Sequence, residues 1–535
     1  MNLSVRAGLS GVAVAAVAVG IAEVVAVATG PLSAPLLAVG GVVVDHVPSS
    51  VKDFGVQVFG VHDKTALITG TAVLLAAYAF GLGVAARRSW PVGLGGIALF
   101  AAIGVAAAVT RHDAGVLAAL PTLIGAAVAI PLLRYLLGLA TAVDPVGGGG
   151  NGTSSGGGTE GRGAIGAAGG DLAVGRAGGA YSNEGRRRFL KGLGIAAAVA
   201  VVGGVGGRLL ASRRAVTAAR NAVVLPVPVA GAPTLPSGAE VGGVTPYVSS
   251  NEDFYRIDTA LYPPQVDPDG WQLKIHGMVR NPITITWAEL LKRPMIERYV
   301  TLACVSNEVG GDLIGNALWL GTPIKALLDE AQPLPDADQV IQRSVDGWTC
   351  GSPTAVLRDG RDALLAVGMN GKPLPVEHGF PVRMVVPGLY GYVSACKWIT
   401  EIELSRFADF DAYWVPRGWS QQAPIKTESR IDTPRDGAKR PAGPVTVAGV
   451  AWAQHRGIAK VEVQVDGGEW QTAALAATVS ADTWRQWSLV WQATEGNHVI
   501  RVRATDTTGE TQTSTPAPPA PDGATGWHAV SVTVG

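Results

Sequence analysis

The apolar residues of this chain are distributed unevenly, and that unevenness limits what it can fold into. Residues 1–143 contain four apolar runs of roughly 20 residues, at about 5–29, 65–86, 92–110 and 114–138. Each is long enough to cross a hydrocarbon core of ~30 Å as a helix. Residues 245–535 have an ordinary globular mixture and hold every tryptophan but Trp90. The expectation is an α-helical membrane anchor followed by soluble domains. The apolar stretch 31–44 is short and interrupted by Pro31 and Pro35, which predicts a re-entrant or interfacial piece.

Basic residues in short loops set orientation. Arg87 and Arg88 follow the second run and Arg134 lies near the end of the fourth. With these inside, the chain re-enters the cytoplasm after span four. Residues 144–185 open with GGGGNGTSSGGGTEG, which cannot bury enough apolar surface to offset its ordering entropy, so a flexible cytoplasmic linker is expected. Next comes RRRFLKGLGIAAAVAVVGG, starting at Arg186. Its paired arginines, spacing and Phe-Leu-Lys resemble a twin-arginine export signal on a weakly apolar helix over 186–210. Arginines also flank the cytoplasmic ends of ordinary spans, and that alternative stays open. A twin-arginine translocase exports folded domains, so the signal implies a following domain that needs folding, or cofactor insertion, before export.

Lys+Arg and Asp+Glu are both 42, and no long basic block points to nucleic acid. Three cysteines, Cys304, Cys350 and Cys396, cannot build a disulfide framework. After a Pro- and Ala-rich connector at 208–245, alternation in WQLKIHG and ITIT predicts strands and WAELLKR a short helix. The run ERYVTLACVSNEVGG is β-branched and delivers Cys304 to a turn rich in Asn and Gly.

TLACVSN, then MNGKPLPVEHGFPVRMVVPGLYGY and CKW, resemble in order the molybdopterin-binding domain of the sulfite oxidase family, over roughly residues 250–420. The resemblance implies a mixed α/β domain, placed at 245–425, with a molybdenum–molybdopterin cofactor held through its dithiolene and one protein thiolate. Cys304 matches the metal-ligating cysteine, and a soft thiolate suits a transition metal. His378 and Arg383 match a His-Gly-Phe-Pro-x-x-Arg motif and Lys397 a Lys-Trp pair, all expected on the pterin phosphate side. Asp346 matches an aspartate near the pterin, and Tyr255 and Arg256 fall near an aromatic–Arg element. Asn307, Arg417 and Trp419 complete the expected catalytic group. Gly388 and Gly391 are read as turn or close-approach positions.

The departures bear on substrate. Where the family continues past its cysteine with Ala-Gly-Asn and anion-binding arginines, this chain has Val305, Ser306, Asn307, Glu308 and Val309. Trp419 stands near the family's active-site tyrosine. A lost arginine and a gained glutamate disfavour an anion, so sulfite is disfavoured, while the resemblance still implies two-electron oxidation or oxygen-atom transfer on a small substrate. An S- or N-oxide reductase using the same site, and an inactive scaffold keeping the fold, are the alternatives.

Residues 430–535 read as short alternating strands separated by Gly- and Asp-rich turns, the pattern of an all-β, immunoglobulin-like sandwich. It resembles the dimerisation domain that follows the cofactor domain in this family, which implies a homodimer; an adhesion module has the same pattern. No CxxCH is present, and His46, His62 and His112 are expected in outward-facing loops, so no haem is predicted. Electrons are expected to pass to an unidentified extracytoplasmic carrier.

Overall fold

The computed structural model describes residues 2–30, 33–46, 63–110, 115–141, 183–213 and 216–535. The linker expected at 144–185 lies outside these up to residue 182, as do His62 and His112. The chain forms two compact units, one chiefly of apolar helices up to Ala211 and one running from Ser212 to Gly535.

In the first unit, four helices are long and apolar enough to cross a membrane: Leu3–Thr29, Ala66–Arg88, Trp90–Val109 and Val116–Thr141. They coincide with the four apolar runs. Small residues set the packing: a Cβ on Gly11 would fall 2.0 Å from the carbonyl oxygen of Ala79, so the two backbones touch as small-residue helix pairs do. The interrupted stretch forms a helix, Pro35–His46, about 18 Å long and too short to span. His46 closes this helix. The arginine-rich run begins a 31-residue helix, Asn183–Arg213, extending beyond the expected 186–210 at both ends. It rests on the first helix, where Gly203 meets Gly20 backbone to backbone, and Phe189 is buried under the Arg6 guanidinium. The expected connector starts with a further short helix, Val216–Ala222.

The second unit opens with two sheets. β1 (Gln272–Gly277), β2 (Ile283–Thr286), β5 (Gln339–Ser344), β6 (Thr349–Pro353) and β10 (Ile399–Ser405) form one, in the order β2-β1-β10-β5-β6, with β1 and β10 parallel. β3 (Ile296–Ala303), β4 (Ile314–Pro323), β7 (Leu364–Met369) and β8 (Lys372–Pro373) form the other, with β9 (Arg383–Val385) beside β7. Between β2 and β3 the WAELL segment is a helix, Trp287–Leu291, started by a reciprocal cap between Thr286 and Glu289. Trp271 and Trp287 pack edge to face in the core.

The C-terminal strands pair as a sandwich. One sheet has the order β11 (Glu428–Thr433), β13 (Gly443–Trp452), β17 (Arg485–Ala493), β16 (Ala474–Leu475). The other has β12 (Ala438–Arg440), β19 (Ala529–Val534), β18 (Gly496–Asp506), β14 (Ile458–Val465), β15 (Gln471–Thr472). Inward residues such as Val461, Val463, Trp487 and Val502 are sealed between them. The sandwich interlocks with β3 through buried polar contacts: the Trp484 amide donates to Thr301 Oγ1 at 2.8 Å, and Gln454 Nε2 to the Thr301 carbonyl at 3.2 Å.

Candidate active site

β3 ends at Ala303, and its buried successor Cys304 begins a loop that returns as β4. The loop is pinned at its neck. The Cys304 amide donates to the Leu313 carbonyl at 2.9 Å, and the Leu313 amide donates to Asn307 Oδ1 at 2.8 Å. Asn307 is therefore part of the loop's own frame and is not among the residues around the cavity that opens beside Cys304. That cavity has a volume of about 140 Å³.

Part of the cavity lining is cationic. His378, Arg383 and Lys397 line it and are all buried. They converge because of Gly379, at φ +111°, where a Cβ would stand 3.0 Å from that of Arg383 and 3.1 Å from that of Lys397. Any other residue there would meet both steric obstruction and backbone strain. Lys397 Nζ reaches Asp258 Oδ2 at 2.7 Å, and Arg256 Nε reaches the same oxygen at 3.0 Å. Arg383 donates to the His378 carbonyl at 3.2 Å and lies over the Trp319 ring. The second ring nitrogen of His378 meets the Asn251 carbonyl at 3.0 Å and so carries its proton there.

Burial perturbs these groups as expected for charges withdrawn from water. It lowers Lys397 to about 8, with Asp258 opposing, and lowers Arg383 to about 10. Burial and the neighbouring Arg383 bring His378 down to about 4, so it is neutral. Burial raises the Cys304 thiol, while hydrogen bonds from Ser306 and the charge of Lys397 favour its thiolate. Burial also raises Tyr255, whose ring stacks on Phe254.

Aromatic side chains make up much of the rest of the lining, Trp348, Tyr392, Trp414 and Trp419 among them. Trp419 lies 5.6 Å from Tyr392 and 6.2 Å from Trp414, centroid to centroid.

Of the residues singled out from the sequence, Tyr255, Cys304, Asp346, His378, Arg383, Lys397 and Trp419 line the cavity. Asn307, Arg256 and Arg417 do not. Arg256 acts on it only through Asp258. Arg417 stacks over the Tyr413 ring at 3.7 Å and donates to the Tyr413 carbonyl. Val309 points toward Gly526 of the sandwich. Sequence reading missed Asp258, although it lies in the DFYRID run, because the acidic partner of a distant lysine has no local signature. It also missed Ser344, Trp348, Tyr392 and Trp414.

The residues fit a molybdopterin. Lys397 and the more exposed Arg256 meet the buried carboxylate of Asp258, whereas the described hydrogen bonds of buried Arg383 go to backbone carbonyls, an excess of positive charge that an anionic group would offset. Ser344 Oγ is buried at the cavity wall without a hydrogen-bond partner, a donor awaiting an acceptor. Among the described residues no cluster of three or more His, Cys, Asp or Glu side chains could hold a metal, so a metal at Cys304 needs ligands that a cofactor brings.

Comparison with known proteins points the same way. The model of the oxidoreductase molybdopterin-binding domain matches residues 260–414, and that of a bacterial Ig domain residues 428–502. Human mitochondrial sulfite oxidase is 29% identical over 321 residues, covering 51% of this chain and 58% of that protein. The chain thus spans little more than half the length of such relatives. The uncharacterized oxidoreductase YuiH of Bacillus subtilis is 30% identical over 180 residues, 33% of this chain and 86% of that protein. The sulfane dehydrogenase SoxCD from Paracoccus pantotrophus aligns with a TM-score of 0.45 at 23% identity, covering 50% of this chain and 75% of that one. The matched segment holds the Cys304 loop and the cationic wall built around Gly379, and on these grounds the chain belongs to the sulfite oxidase family of molybdopterin-dependent oxidoreductases.

Proposed function

We propose that the protein is a membrane-anchored oxidoreductase that carries out two-electron oxidation or oxygen-atom transfer on a small molecule. The observation that carries this reading is the placement of a buried cysteine, a buried Arg383–Lys397 pair and an unpaired Ser344 hydroxyl around one cavity. When bound, the molybdenum cofactor supplies the two-electron and oxygen-transfer chemistry. Cys304 presents its sulfur as the protein ligand, held by the pinned loop; burial raises its thiol, and Ser306 and Lys397 oppose that rise. Arg383 and Lys397 hold the anionic end of the cofactor, and neutral His378 offers a ring nitrogen as acceptor. Tyr255 and Asp346 complete the cradle.

Four apolar helices support the anchor, and the RRRFLK run on the Asn183–Arg213 helix supports folded export through the twin-arginine translocase. On this reading the catalytic domain faces the extracytoplasmic side of the cytoplasmic membrane and passes electrons to a carrier there. The sandwich joins two copies as a homodimer. Molybdenum and pterin content of the purified full chain tests the core of the proposal: about one of each per chain is expected, and a folded protein from a cofactor-competent host that lacks both overturns it.

A further inference from the structure

The cavity is divided chemically, and the division specifies what it accepts. Its cations belong to one wall, where Lys397 and Arg383 sit with Asp258 and His378. A second group in the lining is aromatic: Trp419 contacts both Tyr392 and Trp414, and Trp348 also lines the cavity, its amide donating to the Asp346 carboxylate. Arg417, the cation nearest to these rings in sequence, stacks on Tyr413, donates to the Tyr413 carbonyl and is not among the lining residues. Val309 and Glu308 are likewise absent from the lining.

With the cationic group committed to the cofactor, the lining left to a substrate includes the ring cluster of Tyr392, Trp419 and Trp414. Such a surface offers an inorganic oxyanion indole N–H donors at most, and no cation, in exchange for the hydration it would lose. It rewards a molecule with an apolar or aromatic group that can stack. We infer that the substrate is a neutral organic molecule carrying an apolar or aromatic group beside its reacting atom, and that Trp419 is a specificity-determining residue that packs on this group. The inference rests on the proposed function in assuming that the cofactor fills the cationic side.

Binding to the full-length holoprotein, followed by tryptophan fluorescence and calorimetry, tests it with two probes: methyl phenyl sulfoxide and sulfite. The sulfoxide should bind at least about tenfold more tightly than sulfite. Trp419→Ala should weaken it about tenfold, the scale of one lost ring contact, and Trp419→Phe should recover most of the loss. Molybdenum content is read in every sample, so a misfolded variant is recognised by lost metal and the Phe variant then decides. Tighter binding of sulfite, or sulfoxide affinity unchanged in a metal-replete Trp419→Ala protein, overturns the inference and leaves the proposed function standing. Trp419-dependent sulfoxide binding in a folded wild-type protein without molybdenum sinks the proposed function and retains the selectivity. Absence of both metal and sulfoxide binding overturns both.

Discussion

His528, in the C-terminal sandwich, lies against Gly310 in the loop that follows Cys304: a Cβ on Gly310 would stand 2.2 Å from Cδ2 of the imidazole. The histidine is fixed from behind, since its Nδ1 accepts the Ile431 amide at 2.9 Å. Arg430, from the same sandwich, donates to the Gly311 carbonyl at 2.8 Å. The loop presenting the expected metal ligand is thus backed by the second domain.

Gly310→Ala should therefore push the loop off its seat. Gly310 has φ +81°, so strain adds to the clash, and a loss on the order of 2 kcal/mol is expected. Adding His528→Ala should restore part of the loss by making room, a positive coupling in a double-mutant cycle. Thermal denaturation with molybdenum content reads both effects. Strictly additive losses would show that the two residues do not oppose each other.

Glu428, at the start of β11, is 5% exposed, and its Oε1 has no hydrogen-bond partner. Burial raises its carboxyl to about 8, with Lys426 opposing. A folded-state value above the unfolded one favours the native state below about pH 4.5, and that contribution is lost as pH rises through about 8. Glu428→Gln should match wild type near pH 4.5 and exceed it progressively toward pH 8, by on the order of 3 kcal/mol. Neutral His378 gives the opposite slope between about 4 and 6.5, but it is common to both proteins and cancels in the difference. Denaturant titrations at pH 4.5, 6 and 8 suffice; a variant less stable than wild type at pH 8 would contradict the assignment.

Cys304→Ser should abolish turnover while leaving the fold intact, because a neutral hydroxyl is a poor ligand where a thiolate is a good one. Cys350 and Cys396 are fully buried, with thiols raised by burial, and neither lines the cavity. Their serine variants should keep activity with an artificial electron acceptor. An active Cys304→Ser protein alongside an inactive Cys350→Ser or Cys396→Ser protein would reassign the ligand.

Replacing Arg186 and Arg187 together with lysine should leave the four apolar helices inserted and hold the catalytic domain in the cytoplasm. The charge is kept while the arginine pair is lost, which separates a twin-arginine signal from an ordinary basic flank. Protease accessibility of the C-terminal region in spheroplasts reports the outcome. Wild-type accessibility in the double variant would rule out this route.

Elements with a strong local period were legible in the sequence. The four long apolar runs and strands such as β14, with Val461 and Val463 inward, follow from side-chain alternation alone. The capped helix at Trp287 was visible for the same reason, since Thr286 and Glu289 are neighbours in sequence. The cationic wall was legible through the His-Gly-Phe-Pro-x-x-Arg run, where Gly379 imposes the convergence. Roles set by distant partners were not. Asn307 and Arg417 were expected in the catalytic group; one frames its own loop and the other stacks on Tyr413. His528 meets the Cys304 loop across more than two hundred residues, and no window of sequence registers such a contact.

The interlock between β3 and the sandwich has a consequence for how this protein can be recombined. Thr301 is bonded on three sides by residues of the following domain, its amide donating to the Asp482 carbonyl and its hydroxyl and carbonyl serving Trp484 and Gln454. A crossover near residue 425 that joined this cofactor domain to a relative's sandwich would take these partners from the Thr301 amide and carbonyl, three residues from Cys304, and leave its hydroxyl only Asn316. Inherited exchange should then favour moving the two domains as a pair, with breakpoints upstream of Tyr247, whose buried hydroxyl meets Thr478 and Thr483 of the sandwich.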